Sequence, residues 1–195
     1  TLGCYEDVSR LLLLESDPSI EQIVRDDILS AMADKIESTA IHGGATNEPD
    51  GVISTTGIGN IAGGANGLAP AWATHIPALV KEVEIDNASI NANCGFLTNP
   101  KVKSKMASTA KVGSSDSVMI LNDPWTQLYG YPLAITTNVK SNLTKGNQSL
   151  SSALVFGDWS QLMLGMWNTP DVLIDQYTNS TKGTIRIVVL QEIDL

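Results

Sequence analysis

The chain has 195 residues, enough for one domain or for two small lobes that share a core. Apolar residues make up 43% of it and charged residues 17%, which supports a packed core and excludes a disordered chain. The formal net charge is -9, which argues against a protein whose task is to grip the phosphates of nucleic acid. We interpret the acidity as a source of solubility.

Two further classes are disfavoured by the cysteines and by the apolar runs. Cys4 and Cys94 are the only cysteines, in no CxxC pair, so we expect two reduced thiols rather than a disulfide framework or a zinc site. No apolar run approaches the roughly 20 residues that span a bilayer, and Leu11 to Leu14 is too short for the core of a signal peptide. The chain opens on Thr1 without a Met, and we expect it to be truncated at the N-terminus.

The first predicted element is a long amphipathic helix. Asp17-Pro18 provides an N-cap residue followed by proline at the first helical position, and Gly43-Gly44 ends the helix. One face is apolar and comprises Ile20, Ile23, Val24, Ile28, Met32, Ile36 and Ala40. A helix of this length is suited to bracing a sheet.

A glycine-rich stretch from Gly43 to Pro70 predicts an extended loop. A second helix follows with Trp72, Ile76, Leu79, Val80 and Val83 on one face. Pro77 lies inside that pattern and either kinks the helix or marks its true start.

The rest of the chain is dominated by predicted strands. Cys94 to Thr98 predicts a short buried strand, and Asn99-Pro100 opens a short helix to about Ser108. The other predicted strands are Val118 to Leu121, Leu128 to Thr137, Leu154 to Phe156, Gln161 to Trp167, Val172 to Asp175 and Thr184 to Ile193. Early helices, late strands and no regular βαβ alternation predict an α+β fold with mixed or antiparallel sheets.

Tests for catalytic, cofactor and metal chemistry give no candidate residues. Gly57 to Gly63 has the spacing GxGxxxG without a leading strand or a directly following helix, so we interpret it as a loop. His42 and His75 are the only histidines and form no metal-binding spacing. Asp26 and Asp27 are adjacent, so they point to different sides of a helix and do not form an acid/base pair. We expect no cofactor.

Two groups of residues are candidates for protein–protein contact. Trp and Tyr are enriched at interfaces because they give a large contact area at low entropy cost. The C-terminal half concentrates them, and Trp125, Tyr129, Trp167 and Tyr177 are the aromatic candidates. Lys101, Lys103, Lys105 and Lys111 form the one basic cluster. We take Lys101 and Lys105 from it as interface candidates.

An ordered set of motifs runs along the chain. The C-terminal motifs are the turn Phe156-Gly157-Asp158, the segment Val172 to Thr178 and the closing strand Gly183 to Asp194. The upstream motifs are Ile23 to Ile28, Asn47 to Val52, Leu97 to Pro100 and Leu128 to Pro132. Together they resemble the major capsid proteins of tailed bacteriophages of the Hong Kong 97 type, over roughly residues 5 to 195, with Gln176 where proline is usual.

The resemblance implies a phage or prophage protein with two lobes. A peripheral lobe, formed by residues 1–45 and 151–195, would contain the long "spine" helix packed on a sheet of long strands. An axial lobe of mixed α/β structure, at residues 46–150, would meet its neighbours at the centres of pentamers and hexamers. The family's N-terminal arm and extended loop lie upstream of the spine helix.

The implied function is that of a structural, non-enzymatic subunit of an icosahedral shell that encloses the genome. Its implied partners are copies of itself, together with a scaffolding domain, a prohead protease and a portal, with no specific nucleic-acid sequence and no membrane. It would assemble in the bacterial cytoplasm and reside in the virion capsid. Two alternatives remain open: a cellular encapsulating shell of the same fold, and a small α+β hydrolase that uses His42 or His75.

Overall fold

The computed structural model describes residues 1–15, 20–61, 63–86, 88, 90–113, 118–122 and 124–194. The helices are α1 (Arg10–Glu15), α2 (Ile20–His42), α3 (His75–Ile85) and α4 (Pro100–Ala107). The strands are β1 (Leu2–Ser9), β2 (Cys94–Thr98), β3 (Gln127–Leu128), β4 (Tyr131–Ile135), β5 (Leu143–Lys145), β6 (Gln148–Ser151), β7 (Leu154–Asp158), β8 (Gly165–Asp175) and β9 (Thr184–Asp194).

The chain divides into two compact units. Unit one comprises residues 1–54 and 163–195, and unit two comprises residues 55–162. The bounds of these units differ from those of the two predicted lobes at residues 46–54 and 151–162. For residues 154–158 the reason is β7, which pairs with β2 along its whole length.

Unit one is built on an antiparallel sheet in the order β1-β9-β8. The helix α2 lies on this sheet, and the apolar contact between them contains Val8, Val24, Ile28, Met32, Ile187 and Val189. The prediction that the long helix packs on a sheet containing the closing strand is therefore confirmed. The predicted start of the helix at Asp17-Pro18 lies outside the described residues.

The end of α2 is closed by the loop that follows it. The amides of Val52 and Ile53 donate to the carbonyls of Ala40 and Ile41, at 2.9 and 3.0 Å. Gly43 and Gly51 permit this, because a Cβ on Gly43 would collide with the Pro49 carbonyl and a Cβ on Gly51 would collide with the Gly43 amide nitrogen. The stretch from Asn47 to Val52 thus satisfies carbonyls that a helix end leaves without partners.

Unit two is built on a sheet in the order β3-β4-β2-β7, in which β2 runs parallel to β4 and antiparallel to β7. Phe96 on β2 is buried against Phe156, with ring centroids 4.6 Å apart. Helix residues Ile76, Val80 and Met106 complete the core. This mixed sheet with separate helices confirms the α+β prediction.

The two central helices follow the sequence signals closely. Helix α3 begins at His75, so Pro77 lies in its first turn, where a missing amide costs nothing. Helix α4 is capped by Asn99, whose side chain accepts a hydrogen bond from the Val102 amide at 3.0 Å. The β2 prediction, Cys94 to Thr98, matches the observed strand.

Four of the predicted strands differ from the structure, in three places. Residues 118–121 form one isolated bridge, Ala110 with Met119, and no strand, because Ile120 and Leu121 are both buried instead of alternating. The stretch from Leu128 to Thr137 is a hairpin, since Tyr129 and Gly130 adopt φ of 54° and 83° and reverse the chain.

The third correction concerns the segment that leads into β8. Residues 159–161 form a 3₁₀ turn, and Gln161 to Trp167 and Val172 to Asp175 are not separate strands. From Gly165 the chain forms the single strand β8, whose register shifts between Trp167 and Asp171. The proline inside it, Pro170, is tolerated because β8 is an edge strand.

Strand β1, helix α1 and the hairpin of β5 and β6 were not predicted from the sequence. Strand β1 has weak alternation, and Val8 is its one buried residue. Its pairing partner is β9, at the other end of the chain, so no local pattern reveals it. Among the described residues, no helix combines the length and apolar character needed to cross a membrane.

Replacing Ile28 by Ala tests the packing of α2 on the sheet. Ile28 is 3% exposed, so we expect the free energy of unfolding to fall by about 2–4 kcal/mol. Ile23 on the same helix is 48% exposed, and Ile23→Ala is the matched control, expected to change stability by less than about 0.5 kcal/mol. Urea denaturation of both variants would check this, and equal losses would contradict the packing.

Candidate assembly surfaces

The two units differ strongly in charge. Unit one contains 15 of the 21 acidic residues and five of the 12 basic ones, a formal charge of -10. Unit two contains six acidic and seven basic residues, a formal charge of +1. The net acidity of the chain is therefore a property of one unit only.

Unit two carries a surface where lysine ammonium groups lie over aromatic rings. We call it the lysine–aromatic surface, and it has two parts: Trp72, Lys111 and Tyr129 form one, and Lys103 with Trp125 forms the other. Lys111 Nζ lies 3.9 Å from the ring centroid of Trp72, and Lys103 Nζ lies 4.9 Å from that of Trp125. Trp72 and Tyr129 meet edge to face, with centroids 5.4 Å apart. Ammonium groups at these distances are attracted by the ring faces.

Two tight turns position these aromatic rings. Tyr129 occupies the first central position of the β3–β4 turn, and the Trp125 amide closes another turn on the Asn122 carbonyl at 2.8 Å. A shallow cavity of about 490 Å³ opens between the turns. Its lining includes Trp72, Lys111, Asn122, Gln127 and Tyr129.

The two lysine candidates named from the sequence, Lys101 and Lys105, do not belong to this surface. At about 100° per residue, Lys101 and Lys105 share one flank of α4, while Lys103 lies on the opposite flank. The Lys101 ammonium donates to the Leu150 carbonyl at 2.6 Å. Lys101 thus fixes α4 to β6, and Lys105 is exposed.

Trp167 and Tyr177, the remaining candidates, lie in unit one. Trp167 is 54% exposed on β8, and Tyr177 is 86% exposed in the β8–β9 connection. Strand β8 is an edge of its sheet and also exposes Met166, Leu173 and Ile174. Its register irregularity and Pro170 limit the length over which another strand could pair with it.

A polar network holds the β8–β9 connection against β1. Arg186 donates two hydrogen bonds to the Asp7 carboxylate, at 2.7 and 2.8 Å, and Asn179 donates a third at 2.9 Å. The Arg186 hydrogen bond is the main reason that the pKa of Asp7 is lowered. Asp175 accepts hydrogen bonds from Thr178 and from the Tyr177 amide, which lower its pKa as well.

The two histidines have structural settings. His75 Nδ1 accepts a hydrogen bond from the Ala71 amide at 3.0 Å at the start of α3. His42 ends α2, and neither histidine lines the cavity of unit two. Within the described ranges, no three His, Cys, Asp or Glu side chains are grouped to hold a metal ion.

The glycine-rich segment agrees with the interpretation as a loop. Residues 57–61 and Gly63 are loop, and the next helix begins only at His75.

A helix braced on a sheet made by both chain ends, next in sequence to a mixed α/β unit, is the Hong Kong 97-type capsid fold. Solved structures confirm this. The capsid of an empty GTA particle, computed with C5 symmetry, matches with a TM-score of 0.73 at 22% identity, covering 99% of this chain and 67% of that one. A chain of Microbacterium phage Oxtober96 matches with a TM-score of 0.67 at 16% identity, covering 98% and 64%.

The chain belongs to the phage capsid family, whose model matches residues 1–195. It is also 26% identical over 194 residues to the major capsid protein of Halomonas phage phiHAP-1, covering 96% of this chain and 28% of that protein. The chain thus spans less than a third of this relative. Family membership confirms the resemblance read from the sequence and implies a structural role in a virion capsid. It does not support the hydrolase alternative.

The Asp7 network predicts a pH dependence of stability. The pKa of Asp7 is lowered in the folded state, so the network stabilises the fold above the ordinary aspartate pKa of about 3.9 and is lost as the pH falls through the lower, folded-state value. We therefore expect Asp7→Asn to destabilise the protein at pH 7 and to matter less at an acidic pH below the ordinary aspartate value.

Urea denaturation at both pH values would measure this difference. Glu6→Gln, an exposed neighbour on β1, is the control and should show little effect at pH 7. A loss for Asp7→Asn that is as large in acid as at pH 7 would contradict the argument.

Proposed function

We propose that this chain is the shell-forming part of the major capsid protein of a tailed phage or prophage. In this proposal its copies assemble into pentamers and hexamers of an icosahedral shell that encloses the genome. The observation that carries the proposal is the match of the family model over the whole chain, supported by a capsid fold at a TM-score of 0.73.

The two units correspond, in this proposal, to the two lobes of the capsid fold. Unit one is the peripheral lobe, because it contains α2 and the long strands β8 and β9. Unit two is the axial lobe, with its own aromatic core around Phe96. The six candidates named from the sequence, Trp125, Tyr129, Trp167, Tyr177, Lys101 and Lys105, are then proposed contacts between subunits.

We also propose the assembly partners of the chain and its location in the cell and the virion. A scaffolding domain, a prohead protease and a portal would act with the chain in the bacterial cytoplasm before the shell joins the virion. The subunit needs no specific nucleic-acid sequence, since the acidity of unit one disfavours tight phosphate contacts. We further propose that it has no catalytic activity.

Assembly of the whole protein tests the shell proposal. Solved relatives are longer than this chain, which covers 67% and 64% of two of them. A lasting contact between proteins buries more than about 1,000 Å², and like-charged copies repel at low salt. We expect residues 1–195 alone to remain monomers or weak oligomers, and the whole encoded protein, with any scaffolding segment, to form capsomers or shells.

Light scattering and negative-stain imaging of the two proteins would measure this. Uniform shells from residues 1–195 alone would show that further segments are dispensable. Failure of the whole protein to assemble over a range of salt and protein concentrations would contradict the shell proposal.

Joint replacement of His42 and His75 by Gln tests the proposed lack of catalysis. We expect folding and assembly to remain nearly unchanged, because glutamine preserves hydrogen-bonding capacity at both helix ends. A screen with ester, peptide and phosphate substrates should find no activity in either protein. Activity in the unsubstituted protein that disappears in a folded double variant would overturn this part of the proposal.

A further inference from the structure

We propose that the lysine–aromatic surface of unit two is a docking surface for a second copy of this chain, and that it receives the acidic outer face of that copy's α2. The inference rests on the proposed shell function and goes beyond it by assigning the two surfaces that meet.

The lysine–aromatic surface has the composition of an interface core. Trp125 and Tyr129 are 44% and 43% exposed, so both rings leave a large area that a partner could cover. Lys103 and Lys111 lie over ring faces beside them, so positive charge and apolar area are presented together. The shallow cavity between Trp72 and Tyr129 gives a partner side chain a place to enter.

The complementary surface is the side of α2 that faces away from the sheet. At about 100° per residue, Asp26, Asp27, Asp34 and Glu37 fall within an arc of about 100°. That arc lies opposite Ile28, which packs on the sheet, and all four side chains are exposed. We call these four residues the acidic stripe. The prediction that Ile23 belongs to the apolar face is wrong, because Ile23 is 48% exposed; it lies within the same arc and offers apolar area to an aromatic partner.

Ring symmetry favours two different surfaces that fit each other. In a pentamer or hexamer every subunit uses one patch to contact a different patch on its neighbour. Copies with a uniform charge of -9 would repel one another at every such contact. Here the charge is divided into -10 on unit one and +1 on unit two, so a head-to-tail contact brings opposite charges together.

A nucleic acid is the competing occupant, since aromatic rings and lysines also bind single strands. The charge of the chain favours the second copy. A nucleic-acid strand bound to the lysine–aromatic surface would be repelled by the charge of -10 on unit one. In a second copy of the chain, that same negative charge would instead be attracted to the lysines of this surface.

A charge-swap cycle in the whole protein tests the proposal. The first variant is Lys103→Glu with Lys111→Glu, the second is Asp27→Lys with Asp34→Lys, and the third combines all four substitutions. We expect each pair alone to lower capsomer formation at low salt by at least about tenfold, and the combination to recover most of it, because opposite charges again face each other.

Two controls separate docking from general charge and from folding. Lys81→Glu with Lys145→Glu makes the same charge change on exposed lysines elsewhere in unit two and should alter assembly by less than about threefold. Lys103→Gln with Lys111→Gln removes the positive charge without reversal and should show an intermediate loss. Thermal unfolding of every variant establishes that it is folded.

The outcomes distinguish this inference from the shell function. If the unsubstituted protein assembles and the combined variant is no better than the single pairs, the docking is refuted and the shell function stands. The docking is also refuted if a fluorescent oligothymidylate binds the unsubstituted protein and Lys103→Glu with Lys111→Glu abolishes that binding but leaves assembly intact. If the unsubstituted protein does not assemble at all, both proposals fall.

Discussion

The antiparallel pairing of β1 with β9 joins the two ends of the chain, and unit one depends on it. The pairing runs from Leu2 opposite Gln191 to Ser9 opposite Thr184. It places Val8 opposite Ile185 and in the same apolar cluster as Ile187 and Val189, against which Val24, Ile28 and Met32 pack. Without β1 the sheet would consist of β9 and β8 alone, too narrow to cover one face of a 23-residue helix.

Polar contacts reinforce that pairing near the point where β1 ends and α1 begins. Asp7, Asn179 and Arg186 form a hydrogen-bonded network, and Arg186 also lies over the ring of Tyr5 at 4.2 Å. Arg10 donates to the Gln176 carbonyl from the adjoining helix. A single exposed ion pair contributes little to the stability of a fold. A bidentate pair with a third hydrogen bond is more favourable, because its geometry is fixed and several hydrogen bonds act together. The network holds the connection that carries Tyr177.

Unit two is organised by aromatic packing around β2. Phe96 contacts Phe156 on one neighbouring strand and Tyr131 on the other, so three strands share one cluster of rings. The hairpin that carries Tyr131 also carries Tyr129 outward on its turn. This hairpin therefore contributes Tyr131 to the core and Tyr129 to the proposed docking surface. The two units differ in charge, so the two surfaces that meet in the proposed contact between neighbouring subunits are electrostatically different. This difference favours one orientation of the contact over the other.

The sequence by itself determined the elements whose signals are local. The apolar spacing from Ile20 to Ala40, the Asn99 cap and the alternation in Thr184 to Ile193 depend on neighbours within a few residues, and the structure has these elements. The ordered motifs also identified the family. Trp125 and Tyr129 could be named as interface candidates because exposed aromatic residues concentrate at contacts.

Only the tertiary structure decided what depends on residues far apart in the chain. Strand β1 has little alternation of its own and becomes a strand because β9 offers it backbone partners. The place of Trp72 beside Lys111 and Tyr129 follows from the packing of segments that no periodicity connects. The same holds for the charge of each unit, because the division of the chain into units depends on contacts between distant segments. Side-chain contacts between distant segments depend on how those segments pack in three dimensions. Local patterns in the sequence therefore do not predict them.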